Sequence, residues 1–366
     1  MKLKVNVKPK VTEMSLKSAE KKEPIKEVLT ESAFDKVVKR ARDIQEDCVD
    51  YVSKPYNMEY CLDSDSPLGQ LYDNKEDYES NLTPYSFSQL CNKVGVPTSY
   101  LQKCVDKAHD EKGKFPVNFR NLTEDTLNQW IAEYGKPLLI RTYESNVRGI
   151  LTPKFSILDT PDVLDAVSAS LNMNDYNVKG SFLSEERMHL RLISKDTLSV
   201  PDEDDLHAGI FIDSSDVGRS TLTVHFGIYK QICTNGLMIS KSDGVLFKQK
   251  HIGITKDEFY QGLVASLKDY EILVANSEYF IELAMKDHET FSLRNFGEDD
   301  YKRFAERIRE QVNISEEKAL KVIDLMQTRY GDTRWGYINS LTEVAQDFTL
   351  EKRLEIEKIA GNLLVA

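Results

Sequence analysis

Between Val178 and Tyr229 four runs read as strands, Val178–Leu183, Met188–Ile193, His207–Asp213 and Ser220–Tyr229, and the second and fourth alternate apolar and polar residues at period two. Such alternation commits a segment to a strand with one apolar face. In the second run Met188, Leu190 and Leu192 point one way, and Arg187, His189 and Arg191 the other. In the fourth, Leu222, Val224, Phe226 and Ile228 oppose Thr221, Thr223, His225 and Tyr229. Ser214-Ser215-Asp216-Val217-Gly218 joins the last two runs as a turn longer than the ideal two-residue hairpin link. Leu138–Glu144 and Asn146–Leu151 read as two earlier strands.

The flanking regions carry helical periodicity instead. Phe34, Val37, Val38 and Ala41 predict a helix over about Glu31–Val49. The stretch 53–84 reads as irregular, with a short strand at Met58–Leu62. Phe87, Leu90, Cys91 and Val94 mark a helix that Gly95 ends, and a second runs from Thr98 to about Lys107. The pair forms a helical hairpin whose structural role outweighs a groove-reading one, because the second helix carries only Lys103 and Lys107. A helix over 115–136 takes Thr123 as cap and Trp130 on its buried side, and Thr160-Pro161 opens another. Beyond Thr255 the pattern is helical, with Ser315 as a cap, a helix at Trp335–Phe348 and a last amphipathic helix from Leu350 to about Leu364.

These patterns predict an α+β fold: a central mixed or antiparallel β-sheet with N-terminal helices and a helical C-terminal region that packs on it or mediates self-association. The expected divisions are a mobile basic arm at 1–30, a mainly helical region at 31–136, a β-rich core at 137–254 and a helical region at 255–366. The chain has 366 residues, 40% of them hydrophobic and 30% charged, an ordinary globular balance. The N-terminus lacks the apolar stretch of a signal peptide, and no apolar run reaches the roughly 18–20 residues that span a bilayer. No membrane association is expected.

The net charge is -12, unevenly spread. Residues 1–42 hold 12 Lys/Arg against 6 Asp/Glu, leaving 36 against 54 for the remainder. A basic front end therefore precedes an acidic body, which excludes a uniform cationic shell. Cys48, Cys61, Cys91, Cys104 and Cys233 are odd in number and widely spaced, which fits reduced thiols, with Cys233 a buried apolar residue.

No phosphate-binding loop, dinucleotide fingerprint, nucleophile elbow, zinc-protease motif or EF-hand occurs. His207, His225 and Asp213 could meet across adjacent strands, but strand histidines with ordinary hydrogen bonds are commoner than ligands. Asp202–Asp205 reads as a solvated acidic loop. No metal, cofactor or catalytic residue is predicted. Asn235-Gly236 favours a positive φ at Gly236.

The polar face of the β region is the more informative feature. Arg187 and Arg191 alternate along one strand, Arg141 and Tyr143 share a face of another, and Arg148, Lys154 and Lys230 lie close in sequence to strand ends. Phe155 and Tyr229 add rings. Cations for phosphates with rings for bases are the requirements of a single-strand groove. The alternative is an ordinary half-exposed sheet.

Several segments carry a resemblance. They are Tyr85–Leu90, Val94–Tyr100, Leu139–Thr142, Val147–Phe155, Leu206–Gly209, Ser214–Gly218 and Gly227–Leu237. Over about 85–250 the chain resembles a phage- and plasmid-associated family catalogued as a domain of unknown function. The resemblance implies a phage origin and action in the host cytoplasm. Within that setting, a fold-level analogy to single-strand annealing proteins of the RecT/Redβ type implies a homo-oligomer that binds or anneals single-stranded DNA in recombination or replication. On that reading Arg141, Arg148, Lys154, Arg187, Arg191 and Lys230 contact phosphates, and Tyr143, Phe155 and Tyr229 stack on bases. The alternative is an anti-defence or host-takeover protein that binds a host protein.

Overall fold

The computed structural model describes residues 28–365, apart from 33, 63–65, 110–117, 204, 231–234, 239–244, 268–269, 289–290, 292 and 294–295. Residues 1–27 of the expected arm, Asp204 and Cys233 lie outside the described residues.

The first part of the chain contains β1 (Val28–Ser32), α1 (Phe34–Glu46), β2 (Cys48–Ser53), β3 (Met58–Cys61), β4 (Gln70–Asp73), β5 (Tyr78–Leu82), α2 (Pro84–Val94), α3 (Thr98–Ala108) and α4 (Phe119–Tyr134). The middle holds β6 (Leu138–Tyr143), β7 (Asn146–Leu151), α5 (Thr160–Ser170), β8 (Tyr176–Leu183), β9 (Met188–Thr197), β10 (Leu206–Ser214), β11 (Leu222–Lys230), β12 (Asn235–Met238) and β13 (Val245–Gln249). The rest is helical: α6 (Lys256–Leu267), α7 (Tyr270–Lys286), α8 (Glu298–Val312), α9 (Glu316–Leu325), α10 (Arg334–Ala345) and α11 (Leu350–Leu364).

The fold is α+β, with two sheets where the sequence suggested one. The larger runs β1-β8-β9-β10-β11-β12, with β13 also on β11, and every pairing in it is antiparallel. The smaller runs β2-β6-β7-β5-β4-β3 and is mixed, because β5 and β7 are parallel. Its strands come from both sides of residue 137, so the region 31–136 contains β2–β5 besides its helices, and β1 begins within the expected arm at 1–30.

Local chemistry sets the helix ends. Thr83 and Ser86 form a reciprocal capping box at α2, Pro84 starts the helix, and Gly95 ends it at φ 87. The cap of α4 is Asn118 rather than Thr123, whose hydroxyl donates to the Phe119 carbonyl. The buried stripe of α4 is Thr123, Leu127 and Ile131, which leaves Trp130 45% exposed rather than inside. Asp159, one residue before Thr160, caps α5.

In the small sheet Leu138, Ile140 and Ile150 pack with Phe87, Leu90, Leu101, Leu127 and Ile131 of α2–α4. In the large sheet Leu190, Leu192, Ile210, Val224, Phe226 and Ile228 pack with Val163 and Val167 of α5 and Phe259 and Leu263 of α6. The faces follow the predicted alternation. The other face is covered as well: α11 lays Leu354 against Ile193, Phe211, Tyr229 and Met238. All nine residues of β10 are buried. The same helix places Ile356 in the C-terminal helical core with Ile308, Val322 and Leu341, and Ala360 and Leu364 in the large-sheet core. The C-terminal region therefore packs on the sheet.

Candidate functional site: two buried charge clusters

Four of the segments that carried the sequence resemblance, Tyr85–Leu90, Leu139–Thr142, Val147–Phe155 and Ser214–Gly218, meet where the two sheets join. The β10–β11 turn docks on the small sheet through Val217, whose carbonyl accepts from Gln89 Nε2 at 2.9 Å. The Gln89 side-chain oxygen accepts from the Ile150 amide at 2.8 Å. Gly149 faces the same turn so closely that a Cβ there would lie 2.8 Å from Val217 Cβ. Only glycine admits that approach.

Arg141 lies beneath this contact with no exposed side-chain surface. It holds Asp50 bidentately, at 2.9 Å from Nε and 2.7 Å from Nη2. Nη2 also reaches Asp159 at 2.8 Å, and Nη1 donates to the Asp216 carbonyl. Arg148 is also buried; its Nη1 donates to the Glu185 carbonyl at 2.7 Å and stands 3.6 Å from the Asp216 carboxylate. Thr160 donates to Asp216 at 3.1 Å. Two guanidinium groups thus share three carboxylates drawn from β2, the start of α5 and the β10–β11 turn.

Burial, reinforced by the neighbouring Asp159 charge, raises the Asp216 carboxyl to about 7 against the pull of both arginines. Burial disfavours the charged form of Arg141, but its bond to Asp50 and the charges of Asp159 and Asp216 hold it firmly protonated. Burial also pushes the Cys48 thiol up to about 11, which makes it a poor nucleophile at neutral pH. The opening beside Arg148, lined by Gln45, Cys48, Thr160 and Ser184, has room for about one water molecule, some 10 Å³. Among the described residues no group of three or more His, Cys, Asp and Glu is arranged to hold a metal ion.

A second cluster lies under α11. Arg191 is fully buried and meets Glu357 at 2.5 Å, itself 0% exposed. Arg191 Nε donates to His189 Nε2 at 3.0 Å, and His189 Nδ1 lies 3.0 Å from Asp213. An arginine Nε–H can only donate, so His189 Nε2 carries no proton and Nδ1–H donates to Asp213. Burial lowers the His189 pKa, consistent with this neutral tautomer. Burial alone would raise the Asp213 carboxyl, but the His189 contact and the charges of Lys358 and Arg187 hold it well below the usual carboxylate range. Arg191 sits over the Phe211 ring at 5.2 Å, and a Cβ on Gly236 would lie 2.8 Å from its Nη1. Gly236 does not adopt a positive φ; the close approach of Arg191 is its structural requirement.

The residues expected to line one open groove are divided among several environments. Arg141, Arg148 and Arg191 are buried against carboxylates, and Tyr229 is buried in the layer beneath α11. Arg187 is partly exposed and stands 3.4 Å from Asp213; Lys230 donates to Glu203 at 2.5 Å. Tyr143 is half-buried against the large-sheet core. Phe155 is half-buried and stacks on His251 at 5.2 Å with 4° between the rings. Only Lys154 is fully exposed. The open groove along β9–β11 is therefore corrected: α11 lies on that face, and its Glu357 takes the partner position at Arg191. Asp213 faces His189 rather than His225, and His207 Nδ1 lies 3.2 Å from the Asp196 carbonyl, so that trio does not assemble.

Sequence reasoning named the arginines and missed Asp50, Asp159, Asp216 and Glu357. The available signal was an arginine inside Leu138-Leu139-Ile140-Arg141, an apolar run whose one charge must find a partner if both faces are covered.

The family model described as domain of unknown function (DUF932) matches residues 148–358. The chain belongs to this family. The DUF932 match opens on Arg148 and closes just after Glu357, so it takes in most of the junction cluster and all of the Arg191 cluster. It starts later than the 85–250 read from sequence and extends through the C-terminal helices. No curated protein and no solved structure matches the chain. No helix among the described residues is long and apolar enough to cross a membrane.

Proposed function

We propose that this DUF932 member is a non-enzymatic, phage-encoded DNA-associated protein that binds single strands in recombination or replication, and that it does so through its N-terminal cations rather than its sheet face. The observation that carries this reading is the separation of charge. The arginines of the sheets are consumed by internal carboxylates, whereas Lys36 and Lys39 stand exposed on α1 within the stretch of 12 Lys/Arg against 6 Asp/Glu. A basic segment on an acidic body presents phosphates with a local attractive surface while the body limits non-specific coating. Nothing in either buried cluster supplies an accessible nucleophile or acid–base pair.

The test is fluorescence anisotropy of labelled single- and double-stranded oligonucleotides with the full chain at two salt concentrations. Salt-sensitive binding with preference for single strands is expected. Lys36→Gln and Lys39→Gln together should flatten the salt slope by about 1.4, at roughly 0.7 per lost phosphate contact. Absence of binding at low salt overturns the reading. The body's 54 Asp/Glu against 36 Lys/Arg then favours the second one, an anti-defence protein that engages a basic surface of a host protein.

A further inference from the structure

The two edges of the small sheet are treated differently. The β3 edge is sealed by α4. Asn128 accepts from the Tyr60 amide at 2.7 Å and donates to the Tyr60 carbonyl at 2.9 Å, and Glu124 accepts from the Leu62 amide at 2.8 Å. These side chains complete the hydrogen bonding that a further strand would otherwise supply.

The β2 edge has no such seal. Its ladder partner is β6, and among the described residues no backbone bond outside that ladder involves Cys48–Ser53. Val49 and Val52 are 48% and 50% exposed, on opposite faces of the strand. An unpaired edge with exposed β-branched residues is a template for strand addition. Residues 43–53 hold Asp43, Glu46, Asp47 and Asp50 with no Lys or Arg. Pairing of β2 with the β2 of a second copy would bring these acids against each other, a repulsive arrangement.

The sequence contains one segment of complementary character. Lys2-Leu3-Lys4-Val5-Asn6-Val7-Lys8 alternates apolar Leu3, Val5 and Val7 with Lys2, Lys4, Asn6 and Lys8, and Pro9 follows. It lies outside the described residues. About 20 residues separate it from β1, a reach of roughly 65 Å when extended, so distance does not forbid the contact.

We propose that the open edge of β2 is a docking site for the segment Lys2–Lys8 of this chain, added as a further strand. Main-chain pairing supplies the affinity. The lysine row meets the acidic stretch around Asp50, and the apolar row extends the side of the strand that carries Val49 and Tyr51. The lysines used are distinct from the α1 cations assigned to DNA, and the proposal is tested without nucleic acid.

The experiment is hydrogen exchange by mass spectrometry on the full chain, compared with a Leu3→Asp, Val5→Asp, Val7→Asp variant. All three changes lie outside the described residues. The peptides covering Cys48–Ser53 should exchange about tenfold faster in the variant, with those covering β3–β5 unchanged. A second variant, Lys2→Glu, Lys4→Glu, Lys8→Glu, should produce the same change. Sedimentation then assigns the source: protection that grows with concentration alongside a dimer mass places the segment of one copy on the other, and concentration-independent protection in a monomer places it on its own chain. Equal exchange of β2 in the parent and both variants overturns the proposal.

Discussion

Arg191 occupies a slot whose walls are the backbone at Gly236, the Phe211 ring and Glu357. Its charge is tolerable there because Glu357 supplies the counter-charge and accepts from Nη2, and His189 accepts from Nε. Glu357→Leu removes the counter-charge and should cost about 3–5 kcal/mol in urea unfolding, the usual cost of stranding a buried ion. Arg191→Met combined with Glu357→Leu should recover most of that loss, since burying two ions is itself expensive. Gly236→Ala should cost about 1–3 kcal/mol, because the added methyl meets a guanidinium with no free space to move into.

At the scale of elements, α4 acts as the side wall of β3. Asn128→Ala removes both bonds to Tyr60 and should lower stability by about 1–2 kcal/mol. It should also produce concentration-dependent association visible by light scattering, as the β3 edge opens. Neither sheet edge was legible beforehand. The alternation of β9 and β11 identified their faces correctly, since Leu190, Leu192, Val224 and Phe226 needed only period two to be read. The short strands β3–β5 lie in a stretch rich in Asp, Asn and Tyr, and the pairing of β5 with β7 joins residues distant in sequence. No local pattern carries that information. The cover provided by α11 was hidden for a related reason. Helical periodicity shows that a face is apolar but not which sheet receives it, and Glu357 in Leu350-Glu351-Lys352-Arg353-Leu354-Glu355-Ile356-Glu357 has the look of a solvated charge. Trp130 shows the same limit in reverse, because α4 turns a different stripe inward.

For the molecule as a whole, one titrating group sits at the junction of the two sheets. Asp216 in the folded state holds its proton up to about 7, whereas the unfolded carboxyl releases it near its ordinary 3.8. Between these values the unfolded chain binds fewer protons, so stability falls as pH rises from about 4 to about 7 and levels off above. Asp216→Asn keeps an acceptor for Thr160 and should remove this decline, gaining about 1–3 kcal/mol relative to the parent at pH 8. Asp213 has the opposite sign: its lowered carboxyl pKa gives stability that is present above the ordinary carboxylate range and lost on further acidification. Urea midpoints of the parent and Asp216→Asn across pH 4–8 check the Asp216 slope, and extending the parent series below pH 4 checks that of Asp213.

The bond between Arg191 and Glu357 spans 166 residues of chain. A ribosome adding about 5–20 residues per second needs roughly 10–30 s to cover that distance. During that interval β9 has left the tunnel and the helix that neutralises it has not been made. The nascent chain therefore presents an uncovered layer of Phe211, Tyr229 and Met238 around a cation without its counter-ion. The layer is closed only once the last helix has been made, and slow synthesis of the helices before it lengthens the period in which that layer stands uncovered.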